Sequence, residues 1–221
     1  MTNALSHKRP VVIGIVGGIA SGKSEVTRML GAMDASIICA DKIAHRVLSE
    51  PTVIDSLEKI FGNCILLQGA SSTVDLREIN RKKLASMVFG DSAEKQSMRK
   101  QLEAIVHPRI RQLAKSQLET LSRESASQMI ILDAPLLIEG GWLPYCNRVL
   151  FVDSPDDKRE QRALHRGWTA REWQDRESAQ LSLAEKRKYA TDVLLNDGTI
   201  ETLHQQVADF VAKLRTESTF A

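Results

Sequence analysis

Apolar residues come in two rhythms along this chain. Short unbroken runs at Val11–Val16, Ser36–Ala40, Met129–Asp133, Arg148–Asp153 and Val193–Asn196 are rich in Val, Ile and Leu and do not alternate with polar residues. Runs of that length read as strands buried on both faces. Between them the apolar residues recur every three or four positions, the helical rhythm. This predicts helices after the first run (Glu25–Leu30), over Lys42–Leu48, and over Thr52–Phe61 through Val53, Leu57, Ile60 and Phe61, closed by Gly62. Further helices are predicted at Asn80–Phe89 and Ser92–Val106, with another opened by Pro108 and running to about Arg123 through Ile110, Leu113, Leu118 and Leu121. The last is Ile200–Leu214. Strands separated by helices imply a parallel sheet, hence an α/β fold. Cys64–Val74 reads as two short strands around a Gly/Ser turn, an insertion and not a core strand. The stretch 52–126 is mostly helical and has no linker at either end, so it is expected to be an inserted subdomain. Residues 1–9 carry no pattern and are expected to form a flexible tail.

The first strand runs straight into Gly17-Gly18-Ile19-Ala20-Ser21-Gly22-Lys23-Ser24, a full match to G-x-x-x-x-G-K-[ST]. A strand before and a helix after make this a P-loop. Glycines let successive backbone N–H groups turn inward on a nucleotide's phosphates, and the helix N-terminus completes the anion site. Lys23 supplies positive charge for the β- and γ-phosphates, and the Ser24 hydroxyl is placed to ligate Mg²⁺. The protein is therefore expected to bind a nucleoside triphosphate.

Composition narrows the surroundings. A chain of 221 residues with 43% hydrophobic and 26% charged residues is an ordinary globular protein of one or two domains. A formal net charge of +2 gives no bulk attraction to nucleic acid or membrane, so phosphates have to be met locally. Cys39, Cys64 and Cys146 are far apart and form neither a disulfide framework nor a zinc motif, which fits a reducing cytoplasm. Lys8-Arg9 ahead of an apolar run does not make a signal peptide, because that run leads into the P-loop with no small-residue cleavage site. No apolar run approaches the roughly 20 residues that span a bilayer.

Two acids end strands, where α/β sheets bind ligands. Asp41 has two readings, a ligand-facing carboxylate or the cap of the next helix. Asp133 has the place of the acid that helps to hold Mg²⁺ beside a P-loop, or else of a turn residue before Pro135. Between the fourth and fifth strands, Asp156–Lys188 is the most charged stretch, and most of it reads as a solvated helical face. Arg162 and Arg166 differ. Four apart on one helix face and followed by Gly167, they could clamp a transferring phosphoryl group.

Together these pieces resemble the dephospho-coenzyme A kinase family across nearly the whole chain. The resemblance rests on GGIASGKS, ADKIAHRVL around Asp41, LREINRKKLASMVF, LEAIVHPRI with His107-Pro108, LDAPLLIEGGW, the arginine pair, Gln180 and the closing VLLNDG. It implies a P-loop NTPase core with a five-stranded parallel sheet, a helical acceptor-binding insertion at about 52–126 and a lid at about 159–186, all in one domain spanning 10–221. The implied reaction moves the γ-phosphoryl of ATP, with Mg²⁺, to the ribose 3′-hydroxyl of dephospho-CoA. Lys23, Asp41, Arg162 and Arg166 would be catalytic, with Asp41 near the hydroxyl. Gly17, Gly18, Ala20, Ser21, Gly22, Lys23, Ser24 and Glu25, with Asn196 and Gly198 on the adenine side, would hold the nucleotide, and Ser24 and Asp133 the metal. No nucleic-acid or membrane partner is implied, and the chain is expected to be a monomer or a weak homo-oligomer. Three positions depart from the family pattern: Ala20 replaces a usual Gly, Glu25 a usual Thr, and Ala190-Thr191-Asp192-Val193 lacks the acid in its usual place. Competing expectations are a kinase of another small acceptor, such as a nucleoside or nucleotide, and a non-enzymatic switch. A GTPase-like switch expects Asn-Lys-x-Asp where this chain has Asn196-Asp197-Gly198-Thr199.

Overall fold

Every apolar run becomes a strand: β1 (Val11–Gly17), β2 (Ser36–Cys39), β3 (Met129–Asp133), β4 (Arg148–Asp153) and β5 (Asp192–Leu195). The helices in chain order are α1 (Lys23–Ala32), α2 (Ala40–Val47), α3 (Pro51–Phe61), α4 (Arg81–Val88), α5 (Ala93–Glu124), α6 (Asp156–His165), α7 (Ala170–Ser178), α8 (Leu183–Lys188) and α9 (Ile200–Thr219). The computed structural model describes residues 9–67, 77–90, 92–124 and 127–219. Apart from Arg9, the expected tail lies outside the described residues, as does most of the expected strand pair at Cys64–Val74. The chain divides into two compact units, Met1–Cys39 with Leu118–Ala221 and Ala40–Gln117.

The first unit is the sheet. Its strands lie in the order β2-β3-β1-β4-β5 and all pair in parallel, Ile13 facing Ile131 on one side and Arg148 on the other. β1 and β3 are interior strands, which is why their runs are continuously apolar. One core holds Ile13, Ile15, Ile131, Leu150, Val152 and Leu194 of the sheet with Val26, Met29 and Leu30 of α1 and Leu203, Val207, Phe210 and Leu214 of α9. Each fully buried aliphatic side chain here contributes about 1.5–3 kcal/mol. The edge strand β5 is covered by a side chain in place of a strand, since Gln206 accepts from Leu195 N and donates to Leu195 O, both at 2.9 Å. At the start of β5, Asp192 is buried and takes Arg148 at 3.1 Å, Lys213 at 2.7 Å and the Thr191 hydroxyl at 2.8 Å. The acid that departs from the family pattern thus closes an ion network between β4, β5 and α9.

The second unit is helical. α3 and α4 both pack on a short 3₁₀ turn, Asn63–Ile65, and the chain then makes an antiparallel bridge between Leu66 and Ile79. In its described part, therefore, Cys64–Val74 begins as a turn and a bridge and not as a strand. Asn80 caps α4 by accepting from Lys83 N at 3.0 Å. α5 runs unbroken through Pro108, where two helices were expected. A proline costs the helix one hydrogen bond. Here the carbonyl left over belongs to exposed Ala104, which water can satisfy.

Candidate active site

β1 stops at Gly17 and α1 starts at Lys23, so the five residues between them form a loop at the C-terminal edge of a central strand. Gly22, at φ 101°, caps α1, and a β-carbon there would lie 2.1 Å from Asn196 Nδ2. Only glycine fits. Ala20 adopts φ 60° with a methyl, at a cost of about 1–2 kcal/mol. That methyl is buried against Ala163 and Trp173, which gives the departure from glycine a physical role.

Lys23 folds back over the loop and donates to Gly18 O at 2.6 Å and Gly17 O at 3.1 Å. Burial, and then neighbouring Lys186, pull its pKa down to about 8, while Asp133 and Glu177 act to raise it. Ser24 is exposed in the first turn of α1. Asp133 closes β3, the strand beside β1, and its charge is felt by Lys23. A hydroxyl and a carboxylate at these two strand and helix ends fit Mg²⁺ carried in with phosphates, since that ion keeps waters and takes few protein ligands. Among the described residues no three His, Cys, Asp or Glu side chains gather into a metal cage. Glu25 turns to Arg28, at 2.5 Å, so its carboxylate is engaged along the outside of α1.

Arg162 of α6 meets the loop directly: its Nη1 donates to Ala20 O at 3.3 Å and to Ser154 Oγ at 2.9 Å, and its Nη2 to Asn196 Oδ1 at 3.3 Å. Burial and then Arg166 lower its pKa. Arg166 caps the end of α6 and is exposed, with Gly167 at φ 83° turning the chain after it. Asn196 is buried and donates to Ser21 O at 2.7 Å. Its side chain buttresses the loop, while Gly198 is exposed. Asp41 belongs to the helical unit, where it lies exposed in the first turn of α2. The helix begins one residue earlier, so Asp41 is not the capping residue.

Three charged residues of Asp156–Lys188, a stretch expected to be mostly a solvated face, lie at the loop. Arg159, 2% exposed, donates to Ile19 O at 3.3 Å and Glu177 Oε1 at 2.7 Å. Lys186, 4% exposed, donates to Gln180 at 2.6 Å, and burial lowers its pKa. Glu177 accepts from Ile19 N at 3.0 Å. The signal for Arg159 was its place three residues before Arg162, on the same side of α6.

Strand order and loop together put the chain in the class of P-loop kinases. Its residues 11–202 match the family model described as dephospho-CoA kinase. A dephospho-CoA kinase of Rhodopirellula baltica is 34% identical over 203 residues, covering 92% of this chain and 90% of that one. One from Geobacillus kaustophilus is 37% identical over 198 residues, 89% of this chain and 93% of the relative. Among solved structures, a dephospho-CoA kinase from Campylobacter jejuni superposes with a TM-score of 0.68 at 25% identity, covering 92% of this chain and 96% of that one. A Thermus thermophilus protein reaches a TM-score of 0.72 at 35% identity, over 94% of this chain and 99% of that one. The chain belongs to the dephospho-CoA kinase family, and it is a kinase.

Proposed function

We infer that this chain transfers the γ-phosphoryl group of ATP to the ribose 3′-hydroxyl of dephospho-CoA, giving coenzyme A and ADP, the last step of coenzyme A synthesis. The observation that carries the reading is the match to this one family over residues 11–202 with the phosphate loop intact. The loop amides from Gly18 to Ser24 receive phosphate oxygens, with Gly17 and Glu25 at its two ends. Lys23 exchanges two carbonyls for the β- and γ-phosphates. Ser24 and Asp133 would hold Mg²⁺, which would supply positive charge to offset the negative charge of the phosphates. Arg162 and Arg166, from the lid at about 159–186, face the transferred group, and Asn196 and Gly198 lie toward the adenine. The helical insertion at about 52–126 binds the acceptor, and Asp41 orients its hydroxyl and takes the proton. The partners are small molecules, without nucleic acid or membrane, and the enzyme works in the cytoplasm as a monomer or weak homo-oligomer. No helix among the described residues is long and apolar enough to cross a membrane.

The test is ADP release with ATP alone, with dephospho-CoA and with adenosine, and the mass of the product. Turnover that needs dephospho-CoA and yields coenzyme A supports the reading; turnover indifferent to the acceptor, or specific to adenosine, overturns it. Asp41→Asn keeps size and first-turn polarity, but an amide does not accept a proton at neutral pH. It is expected to lower kcat by about 10² or more, with melting temperature and ATP binding little changed. A kcat within about twofold of the parent removes Asp41 from the chemistry.

A further inference from the structure

A carboxylate from α7 reaches the phosphate loop. Glu177 Oε2 accepts the backbone N–H of Ile19 at 3.0 Å, and its Oε1 accepts from Arg159 Nη1 at 2.7 Å. Arg159 also donates to Ile19 O at 3.3 Å and to Asp156 at 2.8 Å, and its guanidinium lies 5.3 Å over the ring of Trp173. The pair is so close to the loop that a β-carbon on Gly18 would come within 2.3 Å of Arg159 Nη1. Trp173 and Ala163 in turn bury the methyl of Ala20. Lys23 and Lys186 both feel the charge of Glu177. One N–H of a loop built to receive phosphate oxygens is thus taken by the protein's own anion, on a helix of the segment that covers the loop. The arrangement is not fully satisfied, because Arg159 Nε and Trp173 Nε1 are buried without hydrogen-bond partners.

We propose that Glu177 is a positioning residue for the nucleotide: an internal anion that holds α7 on the phosphate loop through Ile19 and Arg159, and against whose charge the triphosphate binds. This rests on the kinase reading above. Glu177 and Arg159 neutralise one another, so the field at the loop is set by their balance. Removing either charge exposes the other, with opposite effects on a polyanion.

The experiment measures ATP and ADP binding by calorimetry and tryptophan fluorescence, without acceptor, in the parent, Glu177→Gln, Arg159→Gln and the double variant. Glu177→Gln keeps an oxygen for the Ile19 N–H. Its Kd for ATP is expected to fall about fivefold or more, and that for ADP less. The Kd of Arg159→Gln is expected to rise by a similar factor, and the double variant to return to within about twofold of the parent. A purely structural latch weakens binding in both single variants and leaves the double variant no better than either. Unchanged or weaker binding in Glu177→Gln overturns the proposal. Should that variant fold poorly, the double variant decides: a Kd near the parental value supports the proposal and one worse than Arg159→Gln overturns it. A parent that binds no ATP overturns the kinase reading and this proposal with it.

Discussion

In the sheet unit one charged side chain from each of α6 and α8 turns inward: Arg159 and Lys186 are 2% and 4% exposed, beside a loop that also draws in Lys23 and Arg162. In the helical unit the paired charges sit at the surface, with Glu50 on Arg109 at 2.6 Å and Arg77 on Glu58 at 2.6 Å and on Asp55. The two arrangements differ in purpose as well as depth. Surface pairs gain little, because water already solvates both partners. Burying several cations around one loop costs desolvation that packing alone does not repay. Its justification is a ligand that brings more negative charge than the protein itself supplies.

The largest effect expected from this contrast is at Lys23. Lys23→Ala is expected to lose most phosphoryl transfer, about 10² to 10³ in kcat, while the melting temperature stays near the parent's, since the group removed is a desolvated charge and not a packing element. Normal turnover would mean that the loop does not hold the triphosphate.

Arg162 and Arg166 sharpen the comparison inside the sheet unit. Each alanine variant is expected to lower kcat by about 10² to 10³. Arg162→Ala should also lower the melting temperature, because Arg162 ties Ala20, Ser154 and Asn196 together. Exposed Arg166 should not. Full kcat in both variants would remove the pair from the chemistry.

A smaller effect follows from pH. Burial, and then Lys186, bring the Lys23 pKa down to about 8, and phosphates favour its charged form. ATP binding is therefore expected to take up protons near pH 8 and above, and affinity to fall as pH rises through about 8. Calorimetry in buffers of different ionisation enthalpy reads the uptake, and Lys23→Met should abolish it. Proton uptake unchanged in that variant would assign the titration to another group. The smallest effect is at the surface of the helical unit: Arg109→Gln is expected to move the melting temperature by about 2 °C or less and to leave ATP binding unchanged. A larger drop would mean that the Glu50–Arg109 pair carries structure.

Much of the sheet was legible because interior parallel strands have no polar face, so Met129–Asp133 and Arg148–Asp153 announce themselves to the residue. Helix ends were less legible. The expectation of a break at Pro108 failed because a proline on an exposed face of a long helix loses one bond that water replaces. The placement of Asp41 as a possible cap failed by one residue, since α2 begins at Ala40.

The sequence by itself determined the phosphate loop, the five strands and their alternation with helices, and the family, because each depends on residues adjacent in the chain or on a period along it. Only the tertiary structure decided which charges of Asp156–Lys188 leave water. In sequence Arg159, Glu177 and Lys186 look like their solvated neighbours. What separates them is what they meet in the fold: the ring of Trp173 and the backbone of Ile19 for Arg159, that same backbone for Glu177, and Gln180 with the charges of Glu139 and Glu177 for Lys186.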